Sequence, residues 1–218
     1  MTDAHFGHAG RTANTSDFNA LNFLIDQRLS QVRTAVPVKI IAVHGGGVGA
    51  PPAVDVQPLV NQRTGRNEKE DHGTIYGIPC SRAQGGGNAV INDPKVGDVG
   101  HMLVSDRDIS ALKANKGKQS NPGSARSHSL SDGVYHGAIL NEGTPSQYVH
   151  FTDDGVTIHC KNGNAITMGP SGINLNGVII DSSGKITAPS DVIAGSISLQ
   201  NHTHGGIVVG SANTLGPN

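Results

Sequence analysis

Residues 172–187 read GINLNGVIIDSSGKIT, in which very short alternating apolar runs are separated by polar glycine turns. The same device fills the chain from Tyr148 to Leu199. Its apolar pairs are Val156 with Ile158, Ile166 with Met168, Ile173 with Leu175, Val178 with Ile180, Ile186 with Ala188, and Ile197 with Leu199. Between them lie Asp153-Asp154-Gly155, Lys161-Asn162-Gly163-Asn164, Pro170-Ser171-Gly172, Asn176-Gly177 and Asp181-Ser182-Ser183-Gly184. Alternation with period two places both members of a pair on one face of a strand, so each strand offers only two or three inward side chains.

Two arrangements can use such strands. A single chain could coil into a β-solenoid, but solenoid coils have turns of similar length and these pairs recur irregularly. Three copies wound about one axis would let short strands pair with those of their neighbours and so satisfy exposed edges. A thin axial core suits Val, Ile and Leu, whereas three aromatic rings would be too wide for it. The irregular spacing favours the three-chain arrangement.

The composition of the whole chain is consistent with a narrow or shared core. Among 218 residues there are 30 glycines, no tryptophan and 3% aromatics, which leaves one chain few bulky groups to fill a wide interior. A net charge of -1 generates no field to attract polyanions or acidic membranes. Cys80 and Cys160 fall in different segments and read as buried, reduced thiols. The start, MTDAHFGHAGRT, lacks the charged and apolar regions of a signal peptide, and no apolar run approaches the ~20 residues of a membrane span. The expectation is synthesis and folding in a cytoplasm, with any membrane contacted from outside the bilayer.

Upstream of the repeat the pattern is different. Ser16 is a good N-cap, and Phe18, Leu21, Ile25, Leu29 and Val32 follow at three- and four-residue intervals, which predicts one amphipathic helix. Its stripe is expected to dock on its own domain, with a neighbouring subunit as the alternative. Short β-runs follow at Val38 to Val43, Ala53 to Val60, Thr74 to Cys80 and Asp98 to Ser105. They suit a small Greek-key barrel of the OB type. Such barrels often bind single-stranded nucleic acid through aromatic platforms and a basic groove, but Tyr76 is the only aromatic placed in this segment, so an assembly role is expected instead. Residues 106 to 138 read as a connector, partly strand-like near Val134 and Tyr135, with a turn at Asn121-Pro122-Gly123. The expected division is therefore residues 1–33 tail and helix, 34–108 OB-fold domain, 109–140 connector, 141–200 β-helix and 201–218 apex.

The apex contains Asn201-His202-Thr203-His204. Two residues apart on an extended backbone, the imidazoles of His202 and His204 can converge on one point. Two ligands do not complete a metal site, because zinc takes about four donors and octahedral first-row ions about six. Downstream, residues 205–218 contain no His, Cys, Asp or Glu. Either the pair is not a metal site or other chains complete it, and three copies would offer six imidazoles, which suits an octahedral divalent ion such as iron. Alternation from Ile197 and Leu199 puts the histidines on the wrong face, so a bulge or kink is required at Gln200-Asn201.

These segments resemble the central spike, or membrane-piercing baseplate protein, family of contractile-tailed bacteriophages. Residues 54–60 (VDVQPLV), 78–80 (IPC), 96–100 (VGDVG) and 130–133 (LSDG) are similar to the family's OB-containing domain. Residues 197–204 (ISLQNHTH) are similar to its apex motif. The resemblance implies an all-β homotrimer: an N-terminal OB-fold barrel preceded by one helix, attached to the baseplate hub, then a triple-stranded β-helix with a metal-bound tip. It implies one iron ion (Fe2+) per trimer, held by His202 and His204 of three chains, and a place in the virion's tail baseplate. Other axial ions known in relatives have no assignable residues here.

The role expected from this is mechanical and non-catalytic: sheath contraction drives a stiff trimer through the host outer membrane. An enzyme is the first rival. The metallo-hydrolase pattern His-x-His-x-Asp-His would need Asp and His where Gly206 and Ile207 stand, and Asp153-Asp154 reads as a turn rather than a placed carboxylate pair. A trimeric tail-tip adhesin or envelope-binding protein is the second. It would need a broad recognition surface, whereas the short tail after His204 has small and polar-to-aliphatic residues able to fold back over a point.

Overall fold

The computed structural model describes residues 12–63, 68–204, 206 and 210. Two compact units divide the chain, residues 1–142 and 143–218. Strands dominate both, and the protein belongs to the all-β class with few helices.

Helix α1 spans Asp17–Leu29, and the Ser16 hydroxyl caps it by accepting from the Asn19 N–H at 3.2 Å. No residue of α1 is buried, and Phe18, Leu21, Ile25, Leu29 and Val32 are all exposed. The expected docking of this stripe on its own domain does not occur. The inward side chains of the neighbouring sheet pack among themselves without the helix.

That sheet contains β1 (Ala35–His44), β2 (Ala53–Pro58), β3 (Ile75–Pro79), β4 (Val99–Val104) and β5 (Gly133–Ala138), in the order β3-β2-β1-β4-β5. Alternation buries Val38, Ile40, Val54, Val56, Ile78 and Met102 completely, with Cys80 and Tyr135 beside them. Register shifts occur between Ile40 and Ala42, between Val54 and Val56, and between Gly100 and His101, where bulges add twist. The sheet curls into a half-barrel. Its ends approach where Cys80 and Tyr135 form a parallel bridge and the Ser81 N–H donates to the Tyr135 carbonyl at 2.9 Å. Gly100 permits this curl, since a Cβ there would meet the Gly137 carbonyl at 2.0 Å and the Tyr135 hydroxyl at 2.4 Å.

β5 lies within the segment expected to be a connector, and it contributes Tyr135 to the core. The reason is register: Met102 faces Tyr135 and Leu103 faces Val134, which adds a full strand to β4. The residues between β4 and β5 carry a short helix, α2 (Ser110–Ala114), and a single 3-10 turn at Leu130–Asp132. Arg126 ties this segment down. Its guanidinium donates to Asp132 at 2.7 and 2.8 Å and to Asp108 at 2.9 Å, and both carboxylates are buried.

The second unit begins with β6 (Tyr148–Thr152), β7 (Gly155–His159), β8 (Ala165–Gly169), β9 (Gly172–Leu175), β10 (Val178–Asp181) and β11 (Ile186–Thr187). They form a six-stranded antiparallel meander in chain order. The turns have the expected chemistry: Asn176 and Gly177, with φ of 53° and 101°, link β9 to β10, and Asn174 Oδ1 accepts from the Gly177 N–H at 2.7 Å. Asp181 organises the next turn by accepting from the Ser183 and Lys185 N–H groups, each at 2.9 Å.

Cross-strand register converts the apolar pairs into two continuous rows. Val149, Ile158, Ile166, Leu175 and Val178 form one, and Phe151, Val156, Met168, Ile173, Ile180 and Ile186 the other. All eleven project from the same face. His150, Thr157, Thr167, Asn174, Ile179 and Thr187 form a more polar row on the opposite face. Neither the single-chain solenoid nor pairing between chains is needed for the pairing between successive strands, because short turns close it locally at small entropic cost, and only the outer edges of Tyr148–Thr152 and Ile186–Thr187 stay open. What one chain leaves unsatisfied is a face. Among the described residues, none of the second unit is buried.

Candidate metal centre

The chain reaches His202 through a second, smaller ribbon of β12 (Ile193–Ala194) and β13 (Ile197–Ser198). Gly195, with φ of 63°, makes the turn between them, and the Leu199 N–H closes the ribbon on the Val192 carbonyl at 2.9 Å. The strand does not continue into the histidines. Leu199, Gln200 and Asn201 form a turn, so the phase break required at Gln200-Asn201 is present.

Three hydrogen-bonding groups shape that turn. The Gln200 N–H donates to Asp191 Oδ1 at 3.1 Å, and the Asn201 N–H donates to the Ser198 hydroxyl at 2.8 Å. The Ser198 hydroxyl and the N–H groups of Gln200, Val192 and Leu199 hold the Asp191 carboxyl below the usual carboxylate range. His202 then folds back on the turn, its Nδ1 lying 3.0 Å from the Ser198 carbonyl oxygen and 3.1 Å from that of Leu199. Carbonyl oxygens only accept, so this geometry favours a proton on Nδ1, and in the neutral ring Nε2 then keeps the lone pair. This matches the common arrangement of metal-binding imidazoles, in which the nitrogen remote from the metal donates to a carbonyl or carboxylate.

His204 stands beside His202, with ring centroids 5.0 Å apart and planes at 77°. Both residues are exposed. The structure thus brings the two predicted ligands together at one end of the described chain. Among the described residues no three His, Cys, Asp or Glu side chains gather as a metal-binding group, so one copy offers two imidazoles and no more. The suggestion that the tail folds back over the tip concerns residues mostly outside the described set.

Other polar clusters lie in the first unit and were not legible as motifs. Arg82, nearly buried, donates to the Gly49 carbonyl at 2.7 Å, the Gly47 carbonyl at 2.9 Å and Asp93 at 3.1 Å. The Gly47 N–H also donates to Asp93. Together these bonds pin the Gly45-Gly46-Gly47 loop. Ser81 Oγ lies 2.9 Å from His136 Nδ1, but among the described residues no carboxylate orients the other ring nitrogen as a catalytic triad requires. Of the two thiols, Cys80 is buried as expected and Cys160 is not. Cys160 lies in the hairpin between β7 and β8, two residues beyond Ile158, where one chain provides no layer to cover it.

No helix among the described residues is long and apolar enough to cross a membrane. Comparison with protein-family models gives no match, and comparison with curated proteins gives none either.

Proposed function

We propose that the chain is one subunit of a homotrimeric central spike at the tip of a contractile phage tail, a structural and non-catalytic component of the virion. The observation that carries this reading is the bare apolar face of the C-terminal meander. Stable domains pack two layers around a core, yet eleven large apolar side chains here have no second layer. Burying what remains exposed of each is worth at most about 1.5–3 kcal/mol, and over eleven side chains in each copy this gives the second unit its core when copies of the same face meet. Three copies closing on one axis form the triple-stranded β-helix, with the two apolar rows, which include Phe151 on the first strand, inside and the more polar row outside.

The tip supports the same number. Two imidazoles per chain give six per trimer, and neutral nitrogen donors in that number suit Fe2+. With Nε2 of His202 free and His204 beside it, these residues would hold the ion, which when bound would link three chain ends and stabilise only the assembled state. A closed six-nitrogen set leaves no position for an activated water, which agrees with a structural role.

The N-terminal unit is the attachment module. Its five-strand order and the parallel approach of β3 to β5 support the OB-fold reading. It joins the trimer to the baseplate hub, and nucleic acid is not its partner. Contraction of the sheath supplies the work that drives the tip through the host outer membrane, and the spike supplies stiffness.

Light scattering combined with elemental analysis of the purified protein tests this. The expected result is three chains per particle and one iron per three chains. A monomer, or zinc at one per chain, overturns the reading.

A further inference from the structure

We propose that Asp191 is a positioning residue for His202, fixing the turn whose carbonyls hold the imidazole with its proton on Nδ1 and its Nε2 free to bind metal. The inference rests on the metal-site reading above but concerns a residue that reading does not use, and its first test needs no metal.

Asp191 precedes the β12–β13 ribbon and reaches across it to the turn that follows. Its carboxylate takes the Gln200 N–H at 3.1 Å and the Ser198 hydroxyl. The Ser198 oxygen, beside that carboxylate, accepts in turn from the Asn201 N–H at 2.8 Å. One carboxylate therefore fixes residues 198, 200 and 201, directly or through a single hydroxyl. The next residue is His202, and both carbonyls that receive its Nδ1 proton belong to this stretch, Ser198 at 3.0 Å and Leu199 at 3.1 Å.

The chemical consequence is specific. A neutral histidine in water favours the tautomer with its proton on Nε2, which blocks that nitrogen as a ligand. Paired carbonyls at Nδ1 reverse the preference, and they do so only while the turn keeps both oxygens pointed at the ring. Within one chain Leu199, Gln200 and Asn201 are all exposed, so packing inside the chain does not hold the turn. The Asp191 bonds do. In a metal site such outer-shell support orients the ligand before the ion arrives, and its removal costs about 10–100-fold in metal affinity.

The experiment uses the full chain labelled with 15N in its histidines, stripped of metal at neutral pH. Wild type is expected to show His202 protonated on Nδ1. In Asp191→Ala the signals should move to the pattern of an Nε2-protonated ring, and Asp191→Asn, which keeps an acceptor oxygen, should largely restore the wild-type pattern. Anaerobic titration with Fe2+ should then show affinity falling about 10–100-fold in Asp191→Ala at unchanged particle mass. Ser198→Ala removes only the hydroxyl link and gives a smaller change of the same kind, which decides the matter if Asp191→Ala fails to assemble. An unchanged His202 tautomer in the folded Asp191→Ala or Ser198→Ala protein overturns the proposal. Wild type with Nδ1 protonated, losing it in Asp191→Ala but taking up no iron, overturns the metal reading and leaves the positioning role standing.

Discussion

Ile158 and Ile166 face each other on adjacent strands of the C-terminal sheet, yet in a single chain they remain 39% and 37% exposed. A pair of β-branched side chains in register is ordinarily the interior of a protein. Here the pair marks where the interior would be once copies meet.

Placing a charge in that row should therefore dissolve the assembly. Ile166→Asp is expected to run as a monomer in light scattering, because an unpaired carboxylate would be buried in every copy. Ile166→Ala should cost about 2–5 kcal/mol per chain and leave a weakened trimer. Thr167→Asp, one residue along and on the opposite face, should leave the mass unchanged. A trimer from Ile166→Asp would show that the row is not the contact.

Removing both imidazoles separates the metal from the assembly. His202→Ala with His204→Ala should reduce bound iron from one per three chains to background while the particle keeps its mass. The two apolar rows bury far more surface than the tip does. A monomer would show instead that the tip holds the chains together.

Arg126 should matter most at neutral pH. The Ser110, Ser124 and Arg126 groups around Asp108 hold its carboxyl down to about 2, and the Arg126 bond leads in lowering Asp132. Both folded values lie below the ~3.9 of an unfolded aspartate. The stabilisation is therefore complete above about pH 4 and is lost as pH falls towards 2. Arg126→Ala should lower the thermal midpoint of the first unit at pH 7, and the difference from wild type should shrink on acidification to pH 3. A difference independent of pH would show that packing, not the ion pair, is what Arg126 supplies.

The two thiols should react at very different rates. Burial pushes the Cys80 thiol up to about 11, with the Asp93 carboxylate adding to the effect, so it should resist a thiol reagent until the first unit unfolds. Cys160 is exposed in one chain, two residues beyond Ile158 and so on the side of the apolar rows. It should react quickly in the monomeric Ile166→Asp variant and slowly in the wild-type assembly. Equal rates in the two proteins would show that Cys160 lies clear of the interface.

Much of the strand layout could be read from alternation and turn residues. Period-two apolar pairs located β7 to β11, and Asn176-Gly177 and Asp181-Ser182-Ser183-Gly184 marked the last two turns between them, because both signals depend on neighbouring residues. Ser16 marked the start of α1 for the same reason. The fate of the α1 stripe was not legible, since amphipathicity says that a face is apolar but not what lies opposite. Nor was the place of residues 133–138 in the first sheet, which depends on register with β4 across an intervening segment. At the tip, His202 and His204 stood out by spacing, whereas Asp191 did not, since its link to them runs through a ribbon that only the fold closes.

The sequence by itself determined the all-β class, the short strands, the turns and the pair of imidazoles near the C-terminus, because each is encoded within a few consecutive residues. Only the tertiary structure decided that the apolar pairs align as two rows on one uncovered face. It also decided that Arg126 bridges two buried carboxylates and that Nδ1 of His202 faces the carbonyls of Ser198 and Leu199. These depend on cross-strand register and on hydrogen bonds between distant residues, which form only when the backbone brings their partners within reach.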